Sequence, residues 1–144
     1  MTGLDGEYDP NNIFAKILRG DVTAVKVYED DVAVAIMDLF PQAQGHTLVI
    51  PKAPARNFLD LPESAVGPYL ERVQKIARAV RKALNPDGLL VTQFNGSAAG
   101  QSVFHVHFHI IPRWADAKLA GHGHGKMADA QELEALAETI SAAL

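Results

Sequence analysis

Between Gly100 and Arg113 the chain reads Gly-Gln-Ser-Val-Phe-His-Val-His-Phe-His-Ile-Ile-Pro-Arg. His105, His107 and His109 alternate with Val106, Phe108 and Ile110, and Pro112 closes the run. Alternation of period two is a strand signal, because successive side chains of a strand point to opposite faces. The histidines therefore share one face and the apolar residues the other. A neutral imidazole carries one donor and one acceptor, and burying either unpaired is costly. The stretch thus demands an apolar core on one side and, on the other, a pocket with partners for three imidazoles.

Two uses for that face stay open. Histidines two apart lie about 6.7 Å apart along a strand, and the outer pair about 13 Å. Zinc ligands must come within about 2.1 Å of the ion. An adjacent pair can converge on one ion, but three from a straight strand converge poorly, so a metal would need a ligand from elsewhere. A nucleophile flanked by orienting groups fits the spacing better. Imidazole attacks phosphorus or acyl centres, and its neighbours can hold its tautomer or donate to developing charge.

His-Val-His-Phe-His-Ile-Ile resembles the signature of the histidine triad (HIT) family, as does the Gly-Gln-Ser-Val-Phe before it. Gly45-His-Thr-Leu-Val-Ile-Pro-Lys52 and Ile13-Phe-Ala-Lys-Ile-Leu-Arg-Gly20 extend the resemblance over about residues 10 to 113. It is closest to the Hint-like nucleotide-binding, nucleoside phosphoramidase branch in its bacterial form. The resemblance implies that His107 attacks the α-phosphorus of a nucleotide, forming a nucleotidyl-histidine that water hydrolyses. It implies that His109 donates to a phosphate oxygen, that His105 and His46 form a supporting layer, and that the carbonyl of His105 fixes the tautomer of His107. Ser102, Gln101 and Asn95 match positions that contact phosphate or leaving group. Asp38 matches the acid that binds the ribose hydroxyls, with Leu39 beside the sugar, and Phe14, Ile17 and Val22 match the walls of the base pocket. The implied ligand is a purine nucleotide such as AMP or an AMP conjugate, and the implied assembly a homodimer whose two sheets run on across the interface.

Each position also has a plainer reading. Asp38 could be a turn former or helix cap, and Asn95-Gly96 is a common turn pair. Phe14 and Ile17 could be plain core, and His46 a buried structural histidine. One departure bears on metal. Some bacterial relatives carry a Cys-x-x-Cys pair near the first helix that completes a zinc site, and the equivalent places here are Asn12 and Ala15. The expectation is therefore no metal and no cofactor.

The 144 residues suit one domain with a single core. A formal net charge of -4 offers no basic footprint for nucleic acid. The absence of cysteine removes disulfides, thiolate catalysis and cysteine-bound zinc together. No apolar run approaches the roughly 20 residues of a membrane span, and Met1 to Pro10 lacks the pattern of a signal peptide. The expectation is a cytoplasmic protein without a membrane or nucleic-acid partner.

Residues 1–10 read as a loose tail. Asn11 or Asn12 caps a short helix through Arg19. Val25–Glu29 and Val32–Met37 form a hairpin, and His46–Ile50 a third strand. Asp60-Leu-Pro-Glu63 reads as a capping box, Gly67-Pro68 as a break or kink, and Tyr69–Leu84 as an amphipathic helix. Leu89–Phe94 is the fourth strand and the histidine run the fifth. Beyond Arg113 the resemblance fades. Gly121-His-Gly-His-Gly125 reads as a flexible loop, and Asp129-Ala-Gln-Glu132 as a second capping box opening a C-terminal helix. The fold class is α+β, an antiparallel sheet of about five strands with one long central helix, a short N-terminal helix and a C-terminal helix. Residues 11–113 form the body, with 114–144 packed on the same domain. The expected activity is hydrolysis of nucleoside phosphoramidates. The alternatives are a dinucleoside polyphosphate hydrolase, a nucleotidyl transferase, or a nucleotide-binding regulatory protein with little catalysis.

Overall fold

The computed structural model describes residues 3–118 and 126–144, so the Gly121–Gly125 loop lies outside the described residues. Asn12 caps α1 (Ile13–Arg19) through a bond from Ala15 N, and Gly20 closes it in the left-handed conformation. Strands β1 (Lys26–Glu29), β2 (Ala33–Met37) and β3 (Thr47–Pro51) follow, then α2 (Glu63–Leu84), β4 (Gly88–Thr92), β5 (Phe108–Arg113) and α3 (Ala130–Ser141). The sheet is antiparallel throughout, in the order β1-β2-β3-β5-β4. The last strand in the chain thus inserts between β3 and β4, which places the histidine run beside the strand that follows His46. No helix among the described residues is long and apolar enough to cross a membrane.

The sheet is covered on both faces. On one, Val49, Val106 and Ile110 pack against Tyr69, Val73 and Ile76 of α2 and Leu133 and Ile140 of α3. On the other, Val34, Ile36, Leu48 and Ile50 pack against Phe14 and Ile17 of α1. Double coverage explains why β2 and β3 are buried at every position and read as apolar runs, not as alternation.

Four local expectations change. The helix that was expected to begin at Tyr69 runs unbroken from Glu63 with Pro68 inside it. Ser64 and Pro68 are both exposed, so the carbonyl freed by the missing N–H sits on the solvated side. Asp60 does not cap α2, because its carboxylate accepts from Arg56 N and Asn57 N instead. Asp129 stands at the N-cap of α3 but makes no side-chain cap bond. The N-terminal segment is not loose over residues 3–10. Gly3 O accepts from Arg56 Nη2 at 3.0 Å, Leu4 O from Asn57 Nδ2 at 2.9 Å, and Tyr8 reaches His105.

The fifth strand also starts later than the alternation suggests. The β3–β5 ladder ends at the pair Val49–Phe108, and the β4–β5 ladder at Thr92–His109. His105 and His107 precede the ladder. The alternation persists without it, since Val106 and Ile110 still enter the helix-side core. Where the ladder stops, Tyr69 of α2, fully buried, donates its hydroxyl to Val49 O at 2.6 Å. Burial raises the pKa of that phenol, which stays a donor at neutral pH. Removing it by Tyr69→Phe should destabilise the fold by about 1–2 kcal/mol, the cost of an unsatisfied buried carbonyl. Urea unfolding is the measurement, with a lower midpoint and an unchanged slope as the expected outcome.

Candidate active site

The loop between β2 and β3 delivers His46. Gly45 makes this turn with φ +90°, and a side chain there would strike Leu84 and Pro112, so only glycine suits the position. His46, His105, His107 and His109 are all buried. Their tautomers follow from backbone partners. The N–H of Gln42 points at His46 Nδ1 at 3.0 Å, so that nitrogen accepts and Nε2 carries the proton. His46 Nε2 lies 2.9 Å from His109 Nδ1 and donates to it. His109 is thereby left with its proton on Nε2. On the neighbouring ring, His107 Nδ1 donates to the carbonyl of His105 at 2.8 Å, which leaves Nε2 as a lone pair. The His107 and His109 ring centroids are 5.0 Å apart. A nucleophilic nitrogen and a donor N–H therefore stand side by side.

His105 lies behind this pair. Its Nε2 bonds the carbonyl of Pro51 at 2.8 Å, which can only accept. Its Nδ1 is therefore an acceptor, and the Tyr8 hydroxyl, at 2.6 Å, is the donor. Burial lowers the pKa of His105, opposed in part by the bond to Pro51.

A pocket of about 300 Å³ opens on the α1 face of the sheet, with His107 and His109 at its edge. That is the small end of ligand-pocket sizes. Ile13, Phe14 and Ile17 form one wall, Val22 to Val25 another, and Ile36 and Leu48 the floor. Phe14 meets His107 edge-on, with centroids 4.8 Å apart. Asp38, Leu39 and Phe40 form the rim, and Ser102 and Val103 flank the histidines. Asp38 Oδ1 accepts from Phe40 N at 2.8 Å, and Oδ2 lies 3.4 Å from His46 Nε2. Asp38 is thus both a turn former and a pocket carboxylate.

Phe14, Ile17, Val22, Asp38, Leu39 and Ser102 accordingly meet at one pocket with His107 and His109. Two other site candidates face elsewhere. Asn95 Oδ1 accepts from Phe58 N and Gln93 Nε2, which fastens one loop to another. Gln101, almost fully buried, accepts from Gly96 N and donates to the carbonyls of Arg56 and Val103. Its amide is occupied in holding the loop before the triad. The sequence reading missed Tyr8, the Gln42 N–H and the Pro51 carbonyl. The two backbone groups have no side-chain signal, and Tyr8 is a lone aromatic in an acidic segment.

Among the described residues, no lysine or arginine lines this pocket. Lys52 is paired with Glu29 at 3.0 Å, and Arg113 sits at the far end of β5, opposite Gly88. Buried Arg56, its guanidinium over Phe104, lines a separate groove that shares Ser102. Asp38, His46 and His109 bring three ligand atoms within 4.8 Å of one another. Coordination through His46 Nε2 would require a proton or negative charge on Nδ1, and a proton there would face the Gln42 N–H. The donor set therefore suits a neutral hydrogen-bonded chain better than an ion. At the equivalents of the zinc-binding cysteine pair, Asn12 is occupied as the cap of α1 and Ala15 offers no ligand.

A family model described as HIT domain matches residues 19–116. Protein hit of Bacillus subtilis is 47% identical over 104 residues, 72% of this chain and 72% of that one. The adenosine 5'-monophosphoramidase hnt1 of Schizosaccharomyces pombe is 38% identical over 130 residues, 90% of this chain and 95% of its own. The crystal structure of a Hit-like protein involved in cell-cycle regulation from Bartonella henselae, with an unknown ligand, superposes with a TM-score of 0.91. Its identity is 49%, over 96% of this chain and 100% of that one.

The buried, neutral His105 ties stability to pH. Its folded pKa lies below the ordinary value of about 6.5, so below that pH the unfolded chain binds the proton more readily. The contribution is full above pH 6.5 and shrinks as pH falls toward the folded pKa, by at most about 1.4 kcal/mol per pH unit for one proton. Urea midpoints measured from pH 8 to pH 5 should fall more steeply for the native protein than for His105→Gln. Parallel profiles would remove His105 as the source.

Proposed function

The chain belongs to the HIT domain family, and from that premise we propose that it hydrolyses the P–N bond of AMP phosphoramidates through a nucleotidyl-histidine intermediate. The coarser statement, a nucleotide-binding hydrolase of the histidine triad type, rests on the family itself. The observation that carries the finer reading is the bond from His107 Nδ1 to the His105 carbonyl, which leaves the Nε2 lone pair for attack. In the proposed reaction the phosphoramidate nitrogen takes a proton from solvent, Nε2 attacks the α-phosphorus to form an N–P bond, and the substrate P–N bond breaks as the neutral amine leaves. Water then attacks the phosphorus and loses a proton to solvent, the Nε2–P bond breaks, and AMP and the neutral His107 are released. The Nε2–H of His109 donates to a phosphate oxygen as charge develops there. The apolar walls take the purine, and the Asp38 carboxylate at the rim takes the ribose hydroxyls.

The lack of a cation among the described lining residues favours a phosphoramidate over a dinucleoside polyphosphate. A protonated amine leaves readily, whereas a second nucleotide leaves with several negative charges that need cationic or metal support. The proposed assembly is a homodimer formed along β4. That strand is an edge of the sheet, with Leu90 and Val91 38% and 44% exposed, and such an edge tends to pair.

The test is a competition assay between an AMP-amine phosphoramidate and a diadenosine polyphosphate, with and without magnesium. The phosphoramidate should show the higher kcat/KM in both conditions. His107→Asn should abolish covalent labelling and nearly all turnover while keeping AMP binding. Preference for the polyphosphate would move the protein to that class, and AMP binding without turnover of either would make it a binding protein. Asp38→Ala should weaken AMP by roughly 1–3 kcal/mol, read by calorimetric titration, and an unchanged affinity would remove Asp38 from the ribose site.

A further inference from the structure

The nucleophile's tautomer depends on one backbone carbonyl, that of His105. The sheet does not hold that carbonyl, since both ladders flanking β5 stop short of residue 107. The nearest backbone tether is the bond from Val106 N to Ala55 O, 2.9 Å long. What else locates His105 is its own ring, wedged between two partners. Nε2 donates to the Pro51 carbonyl at 2.8 Å, and Nδ1 accepts from the Tyr8 hydroxyl at 2.6 Å. The Tyr8 ring also meets the His105 ring edge-on, with centroids 5.6 Å apart at 67°.

We propose that Tyr8 is a positioning residue for the nucleophile: by donating to His105 Nδ1 it fixes the His105 ring, and with it the carbonyl that sets the tautomer of His107. The role of His107 in this statement rests on the proposed function, whereas the hydrogen-bond chain from Tyr8 to His107 does not. The chain has a single direction. Pro51 O can only accept, so His105 Nε2 must carry the proton. A neutral ring then has only an acceptor at Nδ1, and Tyr8 fills the one role left. With the hydroxyl removed, that buried acceptor loses its partner and the ring is held at one end only. The neutral ring can then exchange tautomers or tilt to find another donor, and its backbone moves with it.

Tyr8 is placed by its own segment. Gly3 and Leu4 are tied to Arg56 and Asn57, which adjoin the same Ala55 that holds Val106. The N-terminal segment and the loop before β5 therefore share one anchor. Tyr8 is not among the described residues that line the pocket, so its effect belongs in the rate and not in nucleotide affinity.

Tyr8→Phe keeps the ring and its edge contact and deletes only the hydroxyl. On an AMP phosphoramidate it should lower kcat about tenfold, with KM and AMP affinity within about twofold. Imidazole nitrogen shifts measured by NMR on the resting protein should show His107 as a single Nδ1–H tautomer in the native chain and as a mixture in the variant. An unchanged His107 tautomer overturns the proposal, whether or not kcat falls, because a rate loss without it reflects general loosening. An unchanged kcat overturns it equally. If the native protein turns over no phosphoramidate, the proposed function fails, and the tautomer measurement alone then decides the role of Tyr8. Should Tyr8→Phe fold poorly, fluorotyrosine at position 8 replaces it. A more acidic phenol should shift the His105 Nδ1 resonance while His107 stays in the Nδ1–H form, and no change at His105 counts against the bond.

Discussion

A neutral imidazole must be told which of its nitrogens holds the proton, and in this molecule the main chain decides. The Gln42 N–H, the Pro51 carbonyl and the His105 carbonyl each occupy one nitrogen of one ring. From those three bonds the rest follows by elimination, because each ring has one donor and one acceptor. His107 is left with a lone pair and His109 with an N–H, adjacent and at the edge of the pocket. A second proton on His46 would face the Gln42 N–H, one on His109 would face the His46 N–H, and one on His107 would consume its lone pair. At His105 burial, which lowers its pKa against the opposing bond to Pro51, works in the same direction as the bond donated by Tyr8 by favouring the neutral ring.

The sheet exists to hold those backbone groups still. Pro51 ends β3, Gln42 lies in the turn before it, and His105 leads into β5, so all three belong to one strand pair or its approaches. That pair sits between covered faces, with α2 and α3 on one side and α1 on the other. The Tyr69 hydroxyl pins β3 at the last rung. Past that rung the main chain leaves the ladder, yet the alternation continues, so His105 and His107 stay on the face that His109 presents. His109 is held within both ladders, whereas beyond them side-chain bonds to backbone hold His105 and His107.

Much of this could be read in the sequence because period-two alternation survives even where pairing does not. Val106 and Ile110 reach the core and the histidines the opposite face, as the pattern requires. The α1 cap was narrowed by residue type to Asn11 or Asn12, and it falls on Asn12. Pro68 misled, because a proline signals lost hydrogen bonding but not whether the freed carbonyl faces water. Asp60 misled for a related reason: a capping box is defined by spacing, and Asn57 offers an equivalent spacing three residues earlier. Within the site, Phe14, Ile17 and Val22 were legible only through the family resemblance, since by type alone they read equally as core. Gln101 and Asn95 were not, since an amide near a phosphate loop and an amide tying that loop look alike in sequence. Tyr8 was invisible because its partner lies 97 residues away.

The pocket divides its labour by chemistry. Its walls are aliphatic and aromatic side chains, which suit a flat base and give little directional preference within it. Its polar groups gather at one rim, where Asp38 turns one oxygen to the backbone of Phe40 and holds the other near His46. Under the proposed function a sugar bound by Asp38 would lie between the apolar walls and the histidines, and the one carboxylate would then help place both the base and the phosphorus. With no lysine or arginine among the described lining residues, the pocket must stabilise developing charge by N–H donors alone. Under the proposed function such donors are matched to a leaving group that departs already protonated. Chemistry that must expel a multiply charged group would call for cations, whereas Lys52 is paired with Glu29 and Arg113 lies at the far end of β5.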